Sequence, residues 1–157
     1  MFQKYLDAVL KVILATLLFM IVIMVTVQVT TRYAFNNPTT WTEELVRYSF
    51  VWMVMLGAVL ALVRKRHLYL DILTDRMKGK FRQFHELGVK VITLAYFLAI
   101  AYGGWLILPR VAKQMSPSLG ISMSIPYGAI FCGMVLLSAV QILHIVEDIT
   151  AIRKKER

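Results

Sequence analysis

Residues 32–69 read RYAFNNPTTWTEELVRYSFVWMVMLGAVLALVRKRHLY, and this stretch decides the fold. Three ionisable side chains, Glu43, Glu44 and Arg47, open an apolar run that continues without another charge to Val63. An α-helix needs about 20 apolar residues to cross the hydrocarbon of a bilayer. Because a charged side chain at the bilayer centre costs about 3 kcal/mol, we expect these charges to lie at one end of a membrane helix and to have partners there.

Three other stretches are as apolar as this one, and 59% of the 157 residues are hydrophobic. A soluble domain is usually about 45–50% apolar. Backbone groups in lipid must be paired within their own segment, and these segments are too long and too evenly apolar for barrel strands. We therefore predict an all-α membrane protein without a soluble domain, with transmembrane helices at about 10–31, 41–63, 88–108 and 125–147.

The first apolar segment follows Lys4 and Lys11, as the core of a signal peptide would. Its apolar run is longer than such a core, and no A-x-A cleavage site follows it. We expect this helix to be retained in the mature protein.

The net charge of +9 is unevenly distributed along the chain. Four helices place both chain ends and the middle loop on one side of the membrane, and 14 of the 18 Lys and Arg residues fall there. The positive-inside rule predicts that this side, with both termini, is cytoplasmic. The basic clusters also suit contact with anionic lipid heads, and we expect no nucleic-acid partner.

The middle loop, residues 64–90, alternates apolar and basic residues at near-helical spacing. This pattern is typical of a short amphipathic helix in the headgroup layer. Gly79 would separate that helix from an early start of the third transmembrane helix. A plain loop before a long third helix fits the pattern equally well.

The helix ends have recognisable signals. Thr40 and Glu43 have the spacing of a capping box at the start of the second helix. Pro109 is predicted to end the third helix. Ser124 with Pro126 indicates the start of the fourth.

Small residues four apart predict close helix packing. They occur in three helices, as Gly57 and Ala61, as Ala95, Ala99 and Gly103, and as Ala129 and Gly133.

Glu43 and Glu44 are four and three residues from Arg47, so either carboxylate can pair with it on one helix face. Three roles for this cluster stay open. It can stabilise the helix end within the chain, contact a second membrane protein, or form part of an ion or proton path.

No catalytic constellation occurs in the sequence, which has no Gly-rich phosphate loop, no H-E-x-x-H and no C-x-x-C. His67, His85 and His144 all fall on the predicted cytoplasmic side, unlike the axial ligands of a haem held between helices. We expect no enzyme activity, no cofactor, and no catalytic, substrate or metal site. A small drug–proton antiporter also has four helices, but it needs a carboxylate within the bilayer.

Several blocks of residues occur together in this chain: Arg32-Tyr33, Trp41-x-Glu43-Glu44-Leu45-x-Arg47, Gly57-Ala58, Arg66-His67-Leu68-x-x-Asp71 and Leu119-Gly120-Ile121-x-Met123-x-Ile125-Pro126-Tyr127. In these blocks, and over essentially its whole length, the chain resembles the small membrane subunit (DctQ or SiaQ type) of TRAP transporters, the tripartite ATP-independent periplasmic systems. The W-x-E-E-x-x-R block is the most specific of them.

The resemblance implies a partner role in a sodium-coupled secondary transporter for organic acids such as C4-dicarboxylates or sialic acid. In that family a large membrane subunit holds the substrate and sodium sites and moves by an elevator-like motion, and a periplasmic protein delivers the substrate. The small subunit binds the large one, enlarges its static scaffold and helps to dock the binding protein. We expect a multi-pass protein of the bacterial inner membrane, separate from the large subunit rather than fused to it.

The competing hypothesis is a free-standing four-helix protein, either a small transporter of the antiporter type or a structural membrane protein. Under the resemblance, the candidates for the partner interface or for structural ion pairs are Arg32, Trp41, Glu43, Glu44, Arg47, Arg66, His67 and Asp71. The candidates for periplasmic docking are Asn36, Asn37, Arg110 and Lys113.

Overall fold

The computed structural model describes residues 2–36, 39–64 and 80–155, with side-chain surroundings for residues 5–36, 39–64, 85 and 87–150. These residues form four helices, α1 (Phe2–Ala34), α2 (Thr40–Arg64), α3 (Lys80–Val111) and α4 (Ser124–Lys155). Each helix contains a segment long and apolar enough to cross a membrane: Tyr5–Ala34, Thr40–Arg64, Leu87–Val111 and Ser124–Thr150. The predicted all-α membrane fold is confirmed.

The helices lie side by side in the order α1, α2, α4, α3. Within the described part of the chain, the extensive packings are α1 on α2, α2 on α4, and α4 on α3. A buried cluster joins the first three of these helices: Leu10 of α1, Leu56, Val59 and Val63 of α2, and Leu137 and Val140 of α4. The central pair, α2 and α4, therefore holds most of the core, and α1 and α3 flank it.

Helices α2 and α4 approach each other closely at Gly133. A Cβ atom built at this glycine would lie 2.6 Å from Met55 Cε and 2.9 Å from Met55 Cβ. Ala129, one turn earlier, is fully buried. The prediction that these two small residues pack against another helix is confirmed.

The other two sets of small residues do not make close approaches between described helices. A Cβ atom at Gly57 or Gly103 would have no neighbour within 4 Å, and Ala61, Ala95 and Ala99 are exposed. The packing role predicted for them is wrong within this chain. At α3 the neighbouring Gly104 makes the approach instead, with a Cβ position 3.3 Å from Phe131 Cβ.

Two helix ends differ from the prediction. Helix α3 continues through Pro109 to Val111, so the prediction that Pro109 ends it is wrong. Proline takes away one N–H donor, but the amide of Ala112 after it still donates to Leu108 O at 3.0 Å. At the start of α2, Thr40 and Glu43 make no capping hydrogen bond among the described residues. The Thr42 hydroxyl instead donates to Thr39 O at 2.7 Å.

Helix α3 already includes Lys80, so the predicted early start of the third transmembrane helix is confirmed. Gly79 and the possible interfacial helix fall on residues 65–79, which lie outside the described residues, so the role of Gly79 and that helix stay predictions.

Ion pairs join the helices at the end of the row that holds both chain termini. Asp7 of α1 accepts a hydrogen bond from Arg64 Nε of α2 at 2.7 Å and also pairs with Lys11. Lys90 of α3 pairs with Asp148 of α4. The first and last helices therefore have their terminal ends on the same side, while the side of the membrane to which that end belongs stays a prediction.

Candidate functional site

The opposite end of the row contains most of the candidate residues. It is formed by the last turn of α1, the first turns of α2, and the segment between α3 and α4, residues 112–123, which we call the α3–α4 segment. The charge distribution predicts that this end is periplasmic.

The α3–α4 segment is a closed, hydrogen-bonded loop. The amide of Ser116 donates to Ile121 O at 2.8 Å, and the amide of Met123 donates to Gln114 O at 2.9 Å. Gly120 has a φ of 64°, a conformation that glycine adopts without strain, and its amide donates to Ser116 O at 3.1 Å. The backbone thus folds back on itself before α4 begins.

Glu44 of α2 binds the tip of this loop. Its Oε2 atom accepts hydrogen bonds from the amides of Ser118 at 3.0 Å and Leu119 at 3.1 Å. Its Oε1 atom accepts a hydrogen bond of 2.5 Å from the hydroxyl of Tyr48, a side chain that is buried. Successive backbone N–H groups form a concavity that binds anions, and here the anion is a carboxylate of the same chain.

The predicted pairing with Arg47 is not found. Among the described residues, neither Glu43 nor Glu44 forms an ion pair with Arg47, whose side chain is exposed. An exposed pair on one helix face contributes only about 0.3–0.5 kcal/mol. Hydrogen bonds from neutral donors to a charged acceptor are stronger, so the amides and the tyrosine determine where Glu44 lies.

A cavity of about 230 Å³ lies between the end of α1 and the start of α2. Five side chains line it: Gln28, Arg32, Thr39, Thr40 and Glu43. Two candidate residues of opposite charge, Arg32 and Glu43, therefore border one space, and both are exposed there.

A cluster of threonines joins α1 to α2 beside this cavity. The hydroxyls of Thr39 and Thr42 are 2.7 Å apart, and those of Thr31 and Thr39 are 3.3 Å apart. Thr42 is fully buried. This cluster was not predicted, although the T-T-x-T pattern at residues 39–42 is a signal for it in the sequence.

The remaining candidates are more scattered. Trp41 is exposed at the start of α2, and Asn36 is exposed with a φ of 53° in the turn after α1. Arg110 and Lys113 are exposed at the end of α3 and the start of the α3–α4 segment. The other four candidates, Asn37, Arg66, His67 and Asp71, lie outside the described residues.

The contacts of Glu44 and of the threonine cluster hold the helices and the α3–α4 segment together. The charged side chains of Arg32, Glu43 and Arg47 stay exposed. In the part of the chain that the structure describes, no group of three or more His, Cys, Asp or Glu side chains is placed to hold a metal ion. Both oxygens of Glu44 already accept hydrogen bonds from the chain itself.

The comparison with protein families identifies the chain. Residues 20–151, nearly the whole four-helix unit, match the family described as tripartite ATP-independent periplasmic transporters, DctQ component. The chain belongs to this family. The resemblance seen in the W-x-E-E-x-x-R block is thereby confirmed, and this DctQ-family subunit is a multi-pass membrane protein.

Individual relatives agree with the family. A Haemophilus influenzae protein with the name of a TRAP transporter small permease is 30% identical over 129 residues, which cover 80% of this chain and 78% of that protein. The sialic acid TRAP transporter small permease SiaQ of Vibrio cholerae is 28% identical over 136 residues, or 83% of this chain and 79% of SiaQ.

A third relative is much larger. The sialic acid TRAP transporter permease SiaT of Haemophilus influenzae is 35% identical over 74 residues, which are 46% of this chain but only 12% of SiaT. A sequence of this type therefore also occurs inside a long permease chain.

Proposed function

We propose that this DctQ-family subunit is the accessory scaffold subunit of a TRAP transporter. It binds the large membrane subunit and adds fixed helices to the part of that subunit that stays still while the substrate-carrying part moves. The observation that carries the proposal is the state of Glu44. A free-standing proton-coupled transporter needs a carboxylate that is free to exchange its proton within the membrane, and Glu44 instead binds two backbone amides and Tyr48 of its own chain.

The partner is a large permease that forms a heterodimer with this chain. Support comes from SiaT, a long permease in which a related sequence occupies a small part. Four exposed candidates are available to bridge to that partner where α1 ends and α2 begins: Arg32, Trp41, Glu43 and Arg47. On the predicted cytoplasmic side, we propose that Arg66, His67 and Asp71 contact the partner, lipid heads or one another.

The cargo is an organic anion, sialic acid or a C4-dicarboxylate, whose uptake is coupled to sodium. The relative SiaQ is named for sialic acid, and the choice between the two substrates depends on the other subunits. A periplasmic substrate-binding protein captures the anion and docks on the complex. Arg110, Lys113, Asn36 and Asn37 are the proposed docking residues of this chain.

The orientation follows from charge. The end with the chain termini carries most of the Lys and Arg residues, and the positive-inside rule assigns it to the cytoplasm of a bacterium. The α3–α4 segment is then on the periplasmic face of the inner membrane, where a soluble binding protein can reach it.

Affinity purification of the tagged chain in mild detergent tests the partner role. We expect a large hydrophobic permease to co-purify in a one-to-one ratio. Arg47→Ala should reduce the yield of the permease, because it removes an exposed charge that is proposed to bind it. A chain that purifies alone and transports an anion or a drug by itself would contradict the proposal and favour the free-standing transporter.

A further inference from the structure

We propose that Glu44 is a positioning residue for the docking surface: its carboxylate holds the α3–α4 segment in the conformation that presents Lys113 and Met115, beyond Arg110 at the end of α3, to the periplasmic binding protein. The docking half of this inference rests on the proposed function. The structural half concerns this chain alone and is tested separately below.

The tip of the α3–α4 segment obtains its hydrogen-bond acceptor from α2. Pro117 has no N–H group, and the amides of Ser116 and Gly120 are satisfied within the segment by Ile121 O and Ser116 O. The amides of Ser118 and Leu119 both bond to Glu44 Oε2. Ser118 is exposed, so removal of this carboxylate leaves its amide to water and releases the tip of the loop from α2.

The carboxylate of Glu44 is itself held in place by a hydrogen bond within α2. The hydroxyl of buried Tyr48, one turn further along α2, donates to Oε1 at 2.5 Å and lies 3.3 Å from Met123 Sδ. Ser116, at the base of the tip, is also buried, and its Oγ atom accepts a second contact from the amide of Leu119 at 3.2 Å. The carboxylate is thus fixed on a helix at the centre of the row, and the loop is fixed to it.

The end of α3 and the α3–α4 segment together present a cationic surface. From Arg110 to Met123 the sequence contains two cations and no acidic residue. Arg110, Lys113 and Met115 are exposed, and Met115 keeps 67% of its surface accessible. A face with two cations and an exposed apolar side chain fits an acidic patch on a soluble protein, because complementary charge guides association.

The experiment uses the intact complex with the large subunit and measures two quantities for each variant. The first is the hydrogen exchange rate of the Ser118 amide. The second is the affinity of the purified periplasmic binding protein of the same transporter. Ser118 is the better reporter because Glu44 is its acceptor, whereas the amide of Leu119 also contacts Ser116 Oγ.

Glu44→Ala is expected to raise the exchange rate of the Ser118 amide about tenfold, the effect of losing a hydrogen bond to a charged acceptor. It is expected to weaken the binding protein's affinity about fivefold or more while the large subunit still co-purifies. Glu44→Gln, which keeps one acceptor oxygen, should give smaller changes of both. Glu147→Ala, a carboxylate removal at the far end of α4, is the matched control and should change neither.

A second arm separates position from charge. Arg110→Glu combined with Lys113→Glu should weaken the binding protein's affinity without faster exchange at Ser118. An unchanged exchange rate in Glu44→Ala would overturn the inference, as would faster exchange with full affinity, or loss of the large subunit from both Glu44 variants. If the unaltered complex does not bind the periplasmic protein, the proposed docking function fails, and the exchange rates still report on the Glu44 contact.

Discussion

At the scale of single residues, Gly133 allows a close contact between the two central helices. Its missing Cβ leaves room for the side chain of Met55, including the Cβ atom of that residue, which cannot rotate away. In lipid the helices gain little from the hydrophobic effect against one another, so close contact itself stabilises the pair. The close contact of α2 and α4 at this position therefore depends on the absence of a side chain at residue 133.

Gly133→Leu should lower the free energy of unfolding by about 1–3 kcal/mol, the usual cost of inserting a side chain into a packed interface. Thermal unfolding of the purified chain in detergent measures it. Gly57→Leu is the control, since a Cβ atom there has no neighbour within 4 Å, and it should leave the transition in place. Equal destabilisation by both changes would show that the α2–α4 contact is not the cause.

Asn36 has a backbone role besides its proposed place in docking. Its φ of 53° lies in the left-handed region, which costs a residue other than glycine, asparagine or aspartate about 1–2 kcal/mol. Asn36→Gly should keep the unfolding temperature, and Asn36→Val should lower it. If the valine variant were as stable as the glycine variant, the turn after α1 would not need this conformation.

The sequence identified the polar residues of the site better than their partners. Glu44 stood out because it is charged at the start of an apolar helix, and Arg47 was the obvious neighbour on the same face. The actual donors are backbone amides of Ser118 and Leu119, more than 70 positions along the chain. Every residue has an amide, so no sequence pattern marks these donors, and only the fold brings them to Glu44.

At the scale of the helices, α1 and α3 are held to their neighbours by polar contacts near the chain-terminal end. Lys90 of α3 pairs with Asp148 of α4, and Lys90 O accepts a hydrogen bond from Gln141 Nε2 at 3.1 Å.

Between its two ends, the exposed surface of α1 is mainly apolar. Its exposed hydroxyls, such as Thr16 and Thr26, donate to carbonyls four residues earlier, so polar groups that face lipid are satisfied within the helix.

Exchanging the charges of Lys90 and Asp148 tests the contact between α3 and α4. Lys90→Asp alone places two carboxylates together and should destabilise the chain by about 1 kcal/mol. Adding Asp148→Lys should restore most of the loss, which thermal unfolding in detergent would show. A double variant no more stable than the single one would mean that the ion pair does not hold the helices together.

The helices were predictable as elements, and their contacts were predictable only in part. Apolar length predicted four helices, because the bilayer demands a fixed length of any helix that crosses it, and the described residues form four helices long and apolar enough to do so. The three sets of small residues looked alike in sequence, yet among the described helices only Ala129 and Gly133 pack against another helix. A spacing of four gives a common helix face without saying which helix, lipid or partner lies against it.

At the scale of the whole molecule, the four helices form a row joined by polar contacts at both ends. Asp7 with Arg64 and Lys90 with Asp148 close one end, and Glu44 with the α3–α4 segment closes the other. A row held at both ends resists shear between its helices. This is the property that a fixed scaffold needs beside a moving permease, and it supports the proposed scaffold role together with the state of Glu44.

The most direct test is uptake of labelled sialic acid and succinate into proteoliposomes under a sodium gradient, with the periplasmic binding protein outside. Vesicles contain this chain alone, the large permease alone, or both. We expect uptake only when both are present, and none with this chain alone, because the proposed scaffold role assigns the transport path to the large permease. Uptake by this chain alone, or full uptake by the large permease without it, would contradict the account.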